Sequence, residues 1–433
     1  MNTASKKVLV LSIIFMGLSH IVILKQHIKG ILYALCEAVF LIMLPRVIDN
    51  IAGLVTLGAP HPELDITLRD NSVFMLMDGL ITIAFIAIFI SIYVISVKSA
   101  LKTQRETAEG ARLRKYDNPL ESLSGGAFPI IAIAPAALLI LFFVVIPLVF
   151  AACAAFTNYG APGNIPPNNT VDWVGLENFR FMFGGNALWA GALGRVAAWT
   201  LIWAALATVT CYFGGMLMAV VMNNAKLKIT PVFRAILILP YAVPAVISML
   251  VWKNMLNGAF GVVNRTLMQL GIIRTAIPWL SDPWLAKFMT VAVNLWAGFP
   301  YFMLLVLGAM TAISPDVYEA ARIDGANVFQ SFRRITLPLI IYQTAPLMIM
   351  SFTYNINNFG MIFFLTGGLP QAADSATTGA KATDIMVSWI YNLTIVLQQY
   401  KYASVLAIMI FIALAPFAIF NFMRTKSYKE GDL

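Results

Sequence analysis

The sequence contains apolar segments of about twenty residues that recur along almost its whole length. Of its 433 residues, 60% are hydrophobic and only 11% are charged, whereas soluble domains are nearer half apolar and a quarter charged. A helix of about twenty residues crosses the ~30 Å hydrocarbon layer of a membrane, and barrel strands would be shorter and alternating. These segments therefore predict an all-α polytopic membrane protein.

Eight of the apolar segments are long enough to span a membrane. A further apolar stretch at 8–24 is short and has lysines at both ends, which favours a re-entrant or interfacial position. If this stretch crossed, the number of spans would rise to nine. The eight predicted spans are 31–57, 73–97, 128–152, 198–222, 231–252, 288–312, 339–361 and 403–423.

Lysine and arginine residues are unevenly divided between the two sets of loops. One set holds 19 of the 29 Lys and Arg residues, although the other loops are longer in total. Cytoplasmic loops usually carry this excess. The N-terminus, the loops at 98–126, 223–234 and 313–338, and the C-terminal tail are therefore predicted to face the cytoplasm. The same loops explain the net charge of +9, so no nucleic-acid partner is expected.

No group of residues predicts catalysis or metal binding. Cys36, Cys153 and Cys211 lie in or next to apolar segments without metal-ligand spacing, which favours core positions and predicts no disulfide framework. The three histidines have neither metal spacing nor a nucleophile nearby.

Glu37 and Asp78 lie in apolar segments. An acid inside a membrane is energetically costly, which raises the hypothesis of a proton relay. A structural partner or a position at headgroup level is favoured for both.

The stretch EAARIDGANVFQSFRRITLPL, which begins at Glu319, lies between two apolar segments. Ser314 and Pro315 before it suit the cap and the first turn of a helix, which would end just before Gly325. The glycine permits a left-handed turn. A second short helix would follow and end near Pro338. The pattern predicts a compact helix-turn-helix that projects into the cytoplasm.

The same stretch is similar to the coupling loop of ABC importer permeases. That family has Glu-Ala-Ala, a glycine after three residues and Ile-x-Leu-Pro after nine more, and every one of these positions matches. The resemblance implies that the loop at 313–338 docks into a cleft on a cytoplasmic ATPase subunit. The matching residues are Glu319, Ala320, Ala321, Gly325, Ile335, Leu337 and Pro338.

The resemblance also implies the type I ABC importer permease fold, with a core of six helices at 128–423. An N-terminal membrane extension at 1–97 and a charged cytoplasmic linker at 98–127 would precede this core, and a cytoplasmic tail at 424–433 would follow it. No Gly-Lys pair occurs in the sequence, and a Walker-type phosphate loop requires one. This chain would therefore bind no cofactor, and ATP with Mg²⁺ would be held by partner ATPase subunits.

Several segments resemble the larger membrane subunit of maltose and maltodextrin importers. The similarity is closest at 294–310 and 351–370, covers roughly 128–423 and is loose before that. The first outer loop of the core has about 45 residues, as in the shorter Gram-positive form, and lacks the large insertion of the enteric form. The resemblance implies import of maltodextrin-type oligosaccharides by this chain, a second permease, two ATPase subunits and an extracellular sugar-binding protein.

The family's sugar contacts, carried over position by position, fall on eight uncharged residues of two helices. Within each helix their spacing places them on one face. Amides and hydroxyls donate and accept hydrogen bonds as sugar hydroxyls require, tyrosines can stack on pyranose rings, and Gly298 would leave room beside them. The implied contacts are Asn294, Ala297, Gly298, Tyr301, Ser351, Tyr354, Asn355 and Asn358.

Other interpretations remain open from the sequence. The same polar residues would equally join helices to each other, as Asn and Ser often do in membranes. The alternative substrate within the family is another oligosaccharide, of the raffinose type or containing galactose. An ion-coupled secondary transporter would need no ATPase and would leave the Glu319 motif without a role, and a membrane scaffold would transport nothing. Copurification of an ATPase separates the importer from these last two.

Overall fold

The computed structural model describes residues 3–108, 128–224 and 230–423. Helices dominate these residues, and no β-strand occurs in the parts described. Seven of the helices are long and apolar enough to cross a membrane, and one bent pair is an eighth candidate. The prediction of an all-α polytopic membrane protein with about eight spanning helices is therefore confirmed. The predicted tail at 424–433 and most of the predicted linker at 98–127 lie outside the described residues.

The chain divides into two compact units, residues 1–175 and residues 176–433. The boundary comes later than the predicted start of the six-helix core, so the first predicted core helix belongs to the N-terminal unit. One reason is that the loop after this helix binds the N-terminal helices, since the Val171 N–H donates a hydrogen bond to the Ser72 hydroxyl at 2.9 Å. The predicted domain limits stay predictions.

The N-terminal unit begins with two short helices at the apolar stretch of 8–24. Neither helix is long enough to span a membrane by itself, because ~20 residues are needed. A π-type turn at Leu141–Val145 joins the last two helices of this unit. The described helices are α1 (Thr3–Ile14), α2 (Leu18–Val22), α3 (His27–Thr56), α4 (Ser72–Ala108), α5 (Phe128–Ile140) and α6 (Ile146–Ala154).

Glu37 has a structural partner at the break between α1 and α2. Its carboxylate accepts a hydrogen bond from the backbone N–H of Met16, which lies between the two helices. Gly17 takes a left-handed conformation at this break, with φ of 86°, and a Cβ there would lie 2.1 Å from the carbonyl oxygen of Gly30. Glu37 and this close backbone approach therefore fix α2 against α3.

The C-terminal unit contains the remaining helices. Its centre is a pair of long helices that pack along much of their length, α8 and α12. The described helices are α7 (Glu177–Arg180), α8 (Ala187–Asn224), α9 (Thr230–Ala242), α10 (Ala245–Met255), α11 (Val262–Gln269), α12 (Pro283–Thr311), α13 (Pro315–Ile323), α14 (Val328–Ser331), α15 (Leu337–Ile356), α16 (Phe359–Leu365), α17 (Ser375–Thr378), α18 (Met386–Tyr391) and α19 (Tyr400–Met423).

Small residues and buried aromatic rings bring the central helices together. A Cβ on Gly215 of α8 would lie 2.6 Å from the Phe299 carbonyl oxygen of α12, so only glycine permits this approach, as is typical of membrane helices. The fully buried Trp203 ring of α8 donates a hydrogen bond to the Asn355 carbonyl at 3.0 Å. The Tyr212 hydroxyl of α8 bonds the Thr344 hydroxyl of α15 at 2.8 Å.

A loop at 366–385 is tied to α8 by buried polar groups. The Arg195 guanidinium donates to a carboxylate oxygen of Asp374 at 2.5 Å and to the carbonyl oxygens of Ala380 and Lys381 at 3.1 and 2.9 Å. Asp384 is 2% exposed and accepts hydrogen bonds from the Lys381 N–H and from a serine hydroxyl. Burial raises the pKa of this carboxyl above its ordinary value. The loop is therefore an ordered part of the unit.

The orientation of the chain in the membrane can be tested with single cysteines. In a variant without the native cysteines, Gly163→Cys and Gln371→Cys are expected to react with a membrane-impermeant thiol reagent in intact cells. Val328→Cys, next to the predicted cytoplasmic turn, is expected to react only after the cells are permeabilised. All three positions are exposed, and the expectation rests on the distribution of basic residues. Labelling of Val328→Cys in intact cells would reverse the orientation.

Candidate functional site

The C-terminal unit contains a cavity of about 910 Å³. Its walls are formed by α8, the bend between α9 and α10, α12, α15 and the start of α16. All eight of the sugar-contact residues expected from the sequence line this cavity, on α12 and along or just after α15: Asn294, Ala297, Gly298, Tyr301, Ser351, Tyr354, Asn355 and Asn358. The structure thus brings two predicted helix faces together around one space.

The two most buried of these residues already have protein partners. Asn355 is 5% exposed, and its amide donates to the Thr208 hydroxyl of α8 at 3.1 Å and to the Ser351 hydroxyl at 3.5 Å. Its side-chain oxygen Oδ1 accepts a hydrogen bond from the Asn358 side-chain amide at 3.3 Å. Asn294 donates to the sulfur of Cys211 at 3.3 Å. Both asparagines therefore join helices, which is the alternative role considered for them from the sequence.

Gly298 has a different role from the one expected. A Cβ at this position would lie 2.8 Å from the sulfur of Cys211 on α8, and the neighbouring tyrosines are not among its close contacts. The glycine therefore permits the close approach of α12 to α8, rather than making room beside tyrosine rings. Helical spacing places Gly298 on the correct face, but it does not show which atoms lie opposite.

Tyrosine rings form the open part of the cavity wall. Tyr354 is 68% exposed and Tyr301 is 38% exposed, in contrast to the buried asparagines. Tyr241, at the bend between α9 and α10, places its ring centroid 6.1 Å from that of Tyr301, with the planes tilted by 36°. These rings leave apolar faces and hydroxyl groups available to a bound molecule.

The bend between α9 and α10 is a feature that sequence reasoning missed. The two helices meet at 91°, and the residues around the break, including Tyr241 and Ser248, line the cavity. Pro240 and Pro244 are the signal that was available, because proline removes a helical N–H and clashes with the preceding turn. Non-helical backbone at membrane depth is tolerated where it is buried in protein or lines a water-filled cavity.

The side chains that line the cavity are uncharged. No charged side chain borders the cavity among the described residues, and its polar groups are amides, hydroxyls and one thiol. No cluster of potential metal ligands occurs in the described parts of the chain. Amides and hydroxyls both donate and accept hydrogen bonds, and aromatic rings add apolar faces. This combination suits an uncharged ligand with many hydroxyl groups.

A second candidate site is the turn between α13 and α14. Ser314 caps α13 by accepting a hydrogen bond from the Asp316 N–H. At the other end, Gly325 has φ of 76°, its N–H bonds the Arg322 carbonyl at 3.0 Å, and the next N–H bonds the Ala321 carbonyl at 2.9 Å. These two bonds form a Schellman motif. The predicted helix, glycine turn and second helix are therefore confirmed.

The predicted end of the second helix near Pro338 is wrong. The helix continues from α14 through a π-type turn at Phe332–Thr336 directly into α15, so that Val328–Ile356 forms one span-length helix of 29 residues. A proline cannot donate to the preceding turn, and a wider π-type turn accommodates such a defect without a break. The turn is thus joined without interruption to the helix that lines the cavity.

The turn exposes large apolar side chains and one acidic side chain. Ile323, Val328 and Phe329 are 86%, 80% and 69% exposed. Glu319 is exposed and has no hydrogen bond or ion pair within the described residues. Of the two alanines, Ala320 is exposed and its neighbour is buried. A cluster of exposed large apolar side chains marks a site for interaction with another molecule.

Residues 212–425 match the family model described as the binding-protein-dependent transport system inner membrane component. The galactooligosaccharide permease GanP of Bacillus subtilis is 33% identical over 407 residues, which cover 94% of each chain. The chain belongs to this family of transport permeases. The maltodextrin permease MalC of Streptococcus pneumoniae is likewise 33% identical, over 418 residues and 94% of each chain. The expected resemblance to permeases of ABC sugar importers is thereby confirmed.

Two further proteins are similar to parts of this chain. The maltose and maltodextrin permease MalF of Klebsiella aerogenes is 38% identical over 272 residues, which cover 62% of this permease and 52% of MalF. A chain from the crystal structure of a bacterial alginate ABC transporter, in complex with an alginate pentasaccharide-bound periplasmic protein, superposes with a TM-score of 0.57 at 20% identity. It covers 71% of this permease and 98% of that chain, which supports the fold. The protein is a multi-pass sugar permease of the cytoplasmic membrane.

Proposed function

We propose that this permease moves neutral oligosaccharides of the maltodextrin type into the cell through the cavity between α8, α12 and α15. The main support is that one uncharged cavity collects all eight predicted contact residues. Within that set, the open rings of Tyr301 and Tyr354 are the proposed stacking surfaces. Asn294 and Asn355 hold the helices in place, and their hydrogen-bonding groups that are not used in this way face the sugar.

The size of the cavity supports a short oligosaccharide. About 910 Å³ lies near the upper end of the roughly 300–1,000 Å³ that small-molecule sites occupy. Such a space accepts a few sugar rings. Maltodextrins and galactooligosaccharides are both neutral and rich in hydroxyl groups, so the lining suits either class.

A galactose-containing oligosaccharide is the second candidate substrate. Its specific support is GanP, which is named for galactooligosaccharides and is as similar to this permease as the maltodextrin permease MalC. Uptake measured with maltotriose and with galactobiose separates the two. Faster uptake of galactobiose at equal concentration would replace maltodextrin by galactooligosaccharide as the proposed substrate, with the same cavity.

The proposed transport unit contains partners for both sides of the membrane. A second permease, two ATPase subunits that hold ATP with Mg²⁺, and an extracellular sugar-binding protein would complete it. The apolar surface of Ile323, Val328 and Phe329, together with Glu319, is the proposed docking surface for one ATPase subunit. Closure of the ATPases would then move this surface, and α15 would carry the motion to the cavity. This chain is proposed to be non-catalytic.

The cavity assignment is tested by removing one open ring at a time. Tyr301→Ala and Tyr354→Ala are each expected to reduce the rate of maltotriose uptake at low concentration about five- to hundredfold. The reason is that each loses stacking and hydrogen-bonding worth ~1–3 kcal/mol in affinity. Tyr342→Ala is the matched control, because Tyr342 lies on α15 like Tyr354, is 79% exposed and does not line the cavity.

Assembly is measured on the same variants by copurification of the ATPase subunit. Both cavity variants are expected to retain the ATPase at the level of the control. Normal uptake in both variants would contradict the cavity assignment. Loss of assembly in both would favour a role in joining helices, and absence of any copurifying ATPase with the unaltered chain would favour an ion-coupled transporter.

A further inference from the structure

The end of α10 and the segment between α10 and α12 contain basic residues but no acidic ones. From residue 245 to residue 281 the sequence has three basic residues and no Asp or Glu. Lys253, Arg265 and Arg274 are all exposed. None of the three side chains has an ion pair or hydrogen bond within the described residues. Their charges are therefore available to an anionic partner. We call residues 253–281 the basic segment.

Large apolar side chains are exposed on the same segment. Phe260, Leu270 and Ile272 are 61%, 67% and 65% exposed. They lie close in sequence to the basic residues, before and after α11. Scattered apolar residues on a surface are ordinary, but three such large side chains beside three unpaired charges form a mixed surface. Such a surface is typical of protein segments that lie at a membrane–water boundary.

The basic segment is an ordered body. The buried side chain of Asn264 donates hydrogen bonds to the carbonyl oxygens of Gly258 and Ile277 at 3.2 and 2.9 Å. Its oxygen accepts from the Ile277 N–H at 3.2 Å and from the Trp279 indole at 2.9 Å. One asparagine thus joins the two ends of the segment, so its exposed groups have fixed positions.

The position of the basic segment in the chain places it at the membrane boundary. It follows the bent span of α9 and α10 and precedes the span α12, so it lies on the side opposite the Glu319 turn. Tryptophans flank it, Trp252 near the end of α10 and Trp284 at the start of α12, and Trp284 is 79% exposed. Tryptophan is enriched at the headgroup level of membranes.

We propose that the basic segment binds anionic phospholipids of the leaflet opposite the Glu319 turn. Lys253, Arg265 and Arg274 would contact the phosphate groups, and Phe260, Leu270 and Ile272 would enter the boundary of the acyl chains. Charge complementarity and continuity with the exposed apolar surface of α10 support this occupant. Val246, Ile247 and Val251 of α10 are 44%, 56% and 50% exposed, as expected of a lipid-facing helix.

The extracellular binding protein is the other partner to consider for this surface. It would leave three large apolar side chains in water whenever it is detached, which is unfavourable. A lipid boundary covers them at all times. The two occupants make different predictions for the permease without a binding protein.

The depth of the segment is the first measurement. Leu270→Cys is introduced into a variant without the native cysteines and labelled with a nitroxide. The assembled transporter is placed in nanodiscs that contain phosphatidylglycerol. The nitroxide then reports the relative access of oxygen and of a water-soluble nickel complex to this position. A position at headgroup level without binding protein is expected. Full exposure to the nickel complex would overturn the proposal. Protection that occurs only after the binding protein is added would also overturn it and would assign the surface to that protein.

The lipid preference is the second measurement. The combined variant Lys253→Gln, Arg265→Gln, Arg274→Gln is expected to lower the amount of phosphatidylglycerol relative to phosphatidylcholine that native mass spectrometry finds on the transporter. About fivefold per residue is expected, from ~1 kcal/mol per basic residue at an anionic surface. The control Arg46→Gln, Arg180→Gln removes exposed charges elsewhere. Equal loss in control and variant, or no loss in either, would contradict specific binding by the basic segment.

Discussion

Replacing Gly325 with proline is expected to lower sugar uptake at least a hundredfold while the chain remains in the membrane. Gly325 has φ of 76°, and proline requires φ near −65°. Its N–H donates to the Arg322 carbonyl, and proline has no such donor. The substitution therefore breaks the Schellman motif that joins α13 to α14 and disturbs the proposed docking surface for the ATPase, without touching any residue of the cavity. Uptake of maltotriose and copurification of the ATPase subunit are the measurements.

The control for this substitution is Gly325→Asn. Asparagine tolerates the left-handed conformation better than other residues with a side chain, and a Cβ at this position meets no atom within 4 Å. Transport close to that of the unaltered protein is expected.

Glu319→Lys, compared with Glu319→Gln, tests the acid of the same surface by reversing or removing its charge. Normal transport with both Gly325→Pro and Glu319→Lys would contradict the proposed docking surface.

Replacing Arg195 with methionine is expected to destabilise the C-terminal unit by about 3 kcal/mol. The substitution removes the three hydrogen bonds that the guanidinium donates. It also leaves the Asp374 carboxylate, which is only 15% exposed, without its partner. For a unit of this size the thermal midpoint would fall on the order of 5–10 °C. The midpoint of the purified transporter, measured by loss of soluble material on heating, is the test.

The control is the exposed pair of Lys102 and Glu106 on α4. Their side chains are 77% and 54% exposed and lie 3.8 Å apart. Surface pairs of this kind contribute roughly 0–1 kcal/mol, so Lys102→Met is expected to shift the midpoint by less than about 4 °C. If Arg195→Met behaved in the same way, the loop at 366–385 would be held to α8 by its apolar contacts and not by Arg195.

The spanning helices were predictable because hydrophobic length alone determines them. Every predicted span corresponds to a helix, or to the bent pair of helices, in the structure. The turn at Gly325 was predictable for a different reason, since a cap, a glycine and their spacing are local features that tertiary contacts do not override here. The convergence of the eight cavity residues followed from helical periodicity combined with the family resemblance.

The features that the sequence did not predict all depend on neighbours distant in the chain. Gly298 was expected beside tyrosines and faces Cys211 instead. The partners of Asn355 include Thr208, which lies 147 residues away. Periodicity identifies the face of a helix but not the helix that covers it. Prolines are ambiguous in the same way: Pro244 accompanies a bend of 91°, whereas Pro338 lies within a continuous helix.

The uninterrupted helix from Val328 to Ile356 is bonded to α8 at two points. The Thr344 hydroxyl bonds a tyrosine of α8, and Asn355, next to Tyr354, bonds a threonine of α8. At 1.5 Å per residue these points lie about 24 Å and about 40 Å from Val328. Two fixed points leave no pivot between the helices. A displacement of the Val328 end would therefore carry both helices together, and Tyr354 would move as one body with α8 against the other walls of the cavity.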